Sequence, residues 1–173
     1  MTHLEKISHL IHFGLSFKKM TTETINDWAN RKITEGSTDD FFLELFTAGT
    51  INKIIEVLSV RVVWNYNDLE FRGLILSYYK KYLILNPSYW LDVEKELVQY
   101  FQYLKFESGN DGLEDFLYYL ADDYQLRKHS ANGLLNMPEY LIDSLMKYDD
   151  YDKLQMKLTE EGLSGFTVAN NSK

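Results

Sequence analysis

Apolar residues recur at alternating steps of three and four along most of this chain, punctuated by polar caps and glycines. The pattern is clearest from Asn86 to Phe106, where Trp90, Val93, Leu97, Tyr100 and Leu104 fall on one stripe, widened by Leu91, Val98 and Phe101. Asp92, Lys95, Glu96, Gln99 and Gln102 fall on the opposite side. This predicts a core helix with one wetted face, and makes it the expected anchor of the fold.

The same period continues on either side. Thr2 and Glu5 have capping-box spacing ahead of Leu4, Ile7 and Ile11, with Gly14 as the expected stop. A second helix fits Thr22 to Thr34, with Ile25, Trp28, Ala29 and Ile33 inward and Gly36 beyond it. Ser37 and Asp40 open a third, packed through Phe41, Phe42, Leu45 and Phe46 and stopping near Gly49. Thr50 caps a fourth that carries Ile51, Ile54, Ile55 and Leu58. Val60 to Trp64 is β-branched enough for a strand but has no partner strand, so it reads as a helix end or an extended connection. Asn67 and Glu70 mark the next start, followed by Phe71, Leu74, Ile75, Tyr78, Tyr82 and Leu85, and Asn86-Pro87 breaks that helix.

Beyond Phe106, Ser108 to Gly112 is a turn, and Leu113, Phe116, Leu117 and Leu120 define the buried side of a short helix. His129 to Asn136 reads as loop. Pro138 opens a helix with Tyr140, Leu141, Leu145 and Met146, and a last helix spans Asp150 to Glu161, ended by Gly162. The succession predicts an all-α fold: a single-domain bundle of about eight short helices over residues 1–162, with stacked helix hairpins as one arrangement and 163–173 as a flexible tail.

Composition narrows the class. With 173 residues, 45% of them hydrophobic and 15% aromatic, the chain can bury a substantial core and is not of disordered type. Cysteine is absent, which excludes disulfides, thiolate metal sites and cysteine nucleophiles. The first residues lack a basic region followed by a long apolar run, and no stretch approaches the ~18 apolar residues of a membrane span, so a soluble cytoplasmic protein is expected. The net charge of −8 disfavours nucleic acid and anionic membranes as partners. Its distribution is uneven: Phe106 to Asp152 holds 11 acidic residues against 3 basic ones, and the remainder holds 15 of each.

Candidate chemistry is sparse. Glu5, His9 and His12 share a helix face and could ligate a metal, but no second ligand pair completes the set, and His3 and His129 stand elsewhere. There is no nucleophile elbow and no phosphate-cradling glycine loop, and no cofactor motif. Asp111 and Glu114, with Asp115, have the spacing of a magnesium-binding carboxylate pair, which keeps a small metal-dependent nucleotide hydrolase as the alternative in a different class; a helical adaptor or regulator is another. Tyr78, Tyr79, Lys80, Lys81 and Tyr82 interleave aromatic and basic groups, yet the tyrosines lie on the apolar stripe and read as core beside solvated lysines. On a helical wheel Asp111, Asp115, Tyr118 and Asp122 gather opposite the Leu113–Leu120 stripe, with Asp123 next to them. Asp149, Asp150 and Asp152 form a second acidic cluster around Tyr151. Mixed Asp/Tyr surfaces suit the binding of a basic protein, because carboxylates steer encounter and tyrosines supply contact area.

Trp28-Ala29 and the run from Glu94 to Leu120, EKELVQYFQYLKFESGNDGLEDFLYYL, carry a family resemblance. An aromatic helix end, a polar turn and an L-E-D-F-L-Y-Y helix make the chain similar to the small acidic helical immunity proteins that bacteria encode beside polymorphic or contact-dependent toxins. The resemblance implies a non-enzymatic protein that binds and blocks a cognate toxin domain, often a nuclease with a basic cleft. Its contact residues would be Asp111, Asp115, Tyr118, Asp122 and Asp123, with Asp149, Asp150 and Asp152 as an outer set.

Overall fold

The computed structural model describes residues 2–61, 68–102, 112–129 and 137–168. Among these the chain forms nine α-helices, one 3-10 turn and no strand, so the all-α expectation holds. In order they are α1 (His3–Ser16), α2 (Thr22–Thr34), α3 (Asp40–Thr47), α4 (Ile51–Arg61), α5 (Leu69–Leu85), the 3-10 turn (Pro87–Tyr89), α6 (Trp90–Phe101), α7 (Leu113–His129), α8 (Met137–Leu145) and α9 (Tyr151–Glu160). They fall into two compact units: Met1–Asn65 with Asp152–Thr167, and Tyr66–Tyr151 with Val168–Lys173.

In the first unit, Thr2 caps α1 as its spacing predicts: the Glu5 amide donates to the threonine hydroxyl at 3.2 Å, and the Thr2 amide donates to the Glu5 carboxylate at 2.6 Å. Gly14 does not stop this helix. The carbonyl of Gly14 accepts from both Lys19 and Met20, and the chain reverses at Lys18 with φ 56. Gly14 is needed for close approach instead, because a Cβ there would lie 2.7 Å from Met20 Cγ. Gly165 approaches Met20 in the same way, at 2.6 Å.

Helix α2 has the predicted limits, with Thr21 accepting from the Thr24 amide and Gly36 beyond it at φ 94. Helix α3 is capped by Asp39, not by Ser37, and buries Phe41, Phe42 and Leu45 while leaving Phe46 exposed. Helix α4 buries Ile54, Val57 and Leu58 and exposes Ile51. Val60 and Arg61 are its last residues; Val62 to Trp64 lie outside the described residues.

Glu161 closes this unit. Its carboxylate accepts from the Trp28 indole at 3.1 Å and pairs with Lys32 at 3.0 Å and His3 at 2.7 Å, while Arg31 donates to the carbonyls of Glu161 and Gly162. The chain then turns at Gly162, with φ 62, and returns to α1. Leu163 and Phe166 are buried there, so these two residues of the expected tail belong to the core.

In the second unit α5 is capped by Asp68, which accepts from the Phe71 amide at 2.9 Å; Asn67 lies outside the described residues. Phe71, Leu74, Ile75, Leu76, Tyr78, Tyr79 and Leu83 are all buried, so α5 is enclosed on most sides. Helix α6 buries Val93, Leu97, Val98 and Tyr100 but exposes Leu91, and Leu104 lies outside the described residues. The helix expected to anchor the core is therefore the more exposed of the two. Helix α8 packs on α5 and α6, burying Leu141 and Leu145 and exposing Met146. No helix among the described residues is long and apolar enough to cross a membrane.

Candidate functional site

Helix α7 follows Gly112, whose φ of 78 is the left-handed conformation that glycine adopts without strain, and Phe116 donates back to its carbonyl at 3.2 Å. Leu113, Phe116, Leu117 and Leu120 are buried as predicted, and α7 packs against α6. On the outer side Asp115, Tyr118, Tyr119, Asp122 and Leu126 are exposed, the two tyrosines by 61% and 63%. At steps of three and four they form one continuous stripe along the helix. Tyr119 and Leu126 were not among the expected contacts, although each stands four residues after an aspartate that was. Asp111 lies outside the described residues.

Asp123 is turned inward. Successive residues of a helix are ~100° apart, so Asp123 falls on the Phe116–Leu120 side while Asp122 stays outside. It is 4% exposed and takes the Arg127 guanidinium, with Nε at 2.7 Å and Nη2 closer still. Arg127 also stands 3.2 Å from the carboxylate of Glu94 and 4.7 Å above the ring of Trp90. Burial raises the Glu94 carboxyl to about 7, with Arg127 opposing and Asp123 adding to the shift. Glu94 was placed on neither face in the sequence, yet it stands beside Val93, Leu97 and Val98 on the buried stripe, and that position was the available signal.

The outer acidic residues have separate surroundings. Asp149 is exposed and pairs with Lys80 at 3.2 Å, and Lys80 also donates to the Met146 carbonyl. Asp150 is half-buried, its carboxylate 2.9 Å from where a Cβ on Gly73 would sit. Asp152 is exposed in the first turn of α9 and belongs to the other unit.

The remaining candidates are built into the fold. The Glu5 carboxylate is occupied by the α1 cap, and the Thr2 hydrogen bonds hold its pKa below the usual value. His9 is fully buried and His12 half-buried, and burial lowers His12 to about 4, with His9 adding to the effect. No group of three or more His, Asp or Glu among the described residues could hold a metal ion. Tyr78 and Tyr79 are core, their phenols raised first by burial and then by the charge of Glu96, to which Tyr79 donates at 2.9 Å.

The α7 stripe therefore offers hydroxyls, aromatic faces and carboxylates together on a regular helix. Such a surface can hold a cationic, partly apolar partner by contact and charge. Comparison with known proteins gives no match to a family model, to a curated sequence or to a solved structure.

Proposed function

We propose that the protein is a non-enzymatic binder of a basic protein domain, acting as an immunity protein that neutralises a cognate bacterial toxin through α7. The supporting observation is the exposure of Tyr118 and Tyr119 between Asp115 and Asp122. Carboxylates alone would serve a solvated face. Two exposed tyrosine rings add apolar area that gains free energy only when covered, and tyrosine is among the residues that most often dominate binding energy. The surrounding acids, within a chain of net charge −8, would speed encounter with a basic nuclease cleft and compete there with phosphate.

The test uses the product of the gene directly upstream, which on this reading is the toxin. D115K/D122K should slow association roughly tenfold or more at low salt and flatten its salt dependence, with helical content unchanged. Y118S/Y119S should act mainly on dissociation. Association and salt dependence equal to the wild type in D115K/D122K would remove α7 as the contact surface, and failure of the upstream product to bind at all would remove the immunity reading.

A further inference from the structure

Two buried carboxylates share one guanidinium between α6 and α7. Glu94 is 1% exposed and Asp123 4%, and Arg127 is the cation between them. The fork of Arg127 is directed at Asp123, which receives both Nε and Nη2. Glu94 stands 3.2 Å from Nη2, yet among the described residues no hydrogen bond reaches its Oε1. The Trp90 ring covers the guanidinium. Among the described residues Arg127 is the cation that acts on Glu94: α8 presents the Tyr140 phenol, itself within the field of Asp123; α5 presents Tyr78 and Tyr79, which face Glu96; the 3-10 turn presents Tyr89, packed on Tyr82. With both carboxylates ionised, the described cluster would hold two anions against one cation out of water, a strongly disfavoured state.

We infer that the folded protein retains a proton on Glu94, and that the Glu94–Arg127–Asp123 cluster is a proton-operated latch between α6 and α7. With the proton in place the cluster is neutral, Asp123 and Arg127 forming the ion pair and Glu94 a carboxylic acid beside it. Its loss sets Glu94 against Asp123 with one cation between two anions, and the seat of α7 on α6 loosens. Because the outer side of this same helix carries Asp115, Tyr118, Tyr119 and Asp122, the latch makes the rigidity of that surface depend on pH. The latch itself holds whatever partner α7 takes.

The direction follows from linkage. A carboxyl raised in the folded state contributes stability that is complete below its ordinary value of 4.5 and is lost as pH rises through about 7. Gln is the isosteric mimic of the protonated acid, so E94Q should keep the closed state at every pH. Urea unfolding of the full chain at pH 4.5, 6, 7 and 8 should show the ratio of wild-type to E94Q unfolding constants rising on the order of a hundredfold across the series. Hydrogen exchange, corrected for intrinsic rate, should show α7 amides losing at least tenfold in protection from pH 6 to 8 in the wild type, with no such loss in E94Q. A direct readout that needs no variant is the carboxyl carbon-13 resonance of Glu94 in the wild type, expected to titrate above pH 6. A Glu94 midpoint below 5, or pH profiles of wild type and E94Q that run parallel, would overturn the latch.

Discussion

Phe166 has φ 49, a conformation that side chains with a Cβ adopt at a cost, so its surroundings must hold it there. They do so on both sides of the peptide: its amide donates to the Lys19 carbonyl at 3.1 Å, and its own carbonyl accepts from the Gln155 side chain at 3.2 Å. The ring is fully buried and stacks on Phe13 at 6.1 Å. Phe166→Ala should therefore destabilise the protein by about 3–5 kcal/mol, the range for emptying a buried aromatic site, as read by urea denaturation. A loss below about 1 kcal/mol would place this residue outside the core. His12 acts through its charge. Its pKa is lowered from 6.5 to about 4 in the fold, so the neutral form contributes stability that is present above pH 6.5 and lost as pH falls through 4. The His12→Gln variant should lose on the order of 2 kcal/mol less than the wild type between pH 7 and 4. Equal losses in the two proteins would mean that His12 titrates normally.

At the scale of the helix, side-chain chemistry acts through the backbone groups it satisfies. Thr2 accepts one unpaired amide of α1 and positions Glu5 to accept another, so Thr2→Ala should cost about 1 kcal/mol and raise hydrogen exchange in the first turn of α1 before it affects α2. Exchange rising equally in both helices would show that the cap acts on the whole unit. Caps of this kind are local, which is why α1 begins where Thr2 and Glu5 predict. Local signals also compete: Ser37 and Asn67 were the expected caps, but Asp39 and Asp68 stand nearer the first turns of α3 and α5. Periodicity separates the two sides of a helix but does not say how many neighbours it will have. Leu91 and Phe46 lie on apolar stripes and face solvent, whereas Leu76 and Tyr79 lie off the expected stripe of α5 and are buried, because α5 is packed from more than one direction. On α7 the sequence placed Asp115, Tyr118 and Asp122 outside correctly. Glu94 could not be placed in the same way, since a charge enters a core only when a partner is there to meet it and its partner Arg127 lies on another helix; for Asp123 the same arginine stands one turn along α7.

For the molecule as a whole, class follows from local pattern and the grouping of helices from packing. Fifteen or so residues of helical period suffice to declare a helix, so the all-α reading needed only local information. The division into two units depends on which helices bury one another, and the acidic stretch that ends at Asp152 begins well inside the second unit, so composition alone does not mark both breaks. The same limit hid Leu163 and Phe166, two apolar residues three apart with no repeat around them. The partners of Phe166, the Phe13 ring and the Lys19 carbonyl, lie near the other end of the sequence.

That arrangement fixes an order of events during synthesis. Helices α1 to α4 emerge first, but their unit is completed by Asp152–Thr167, which follow the whole of Tyr66–Tyr151. At ~5–20 residues per second the nascent chain spends several seconds with α1 to α4 made and Phe166 and Glu161 still to come. During that interval the Trp28 indole, the Arg31 guanidinium and the Phe13 ring lack the groups that later engage them. The unit that begins first is completed only after Tyr66–Tyr151 of the other has been made. Its apolar face is thus exposed on the ribosome while the intervening unit is being made, and that is where a chaperone, or a neighbouring nascent chain, would find it.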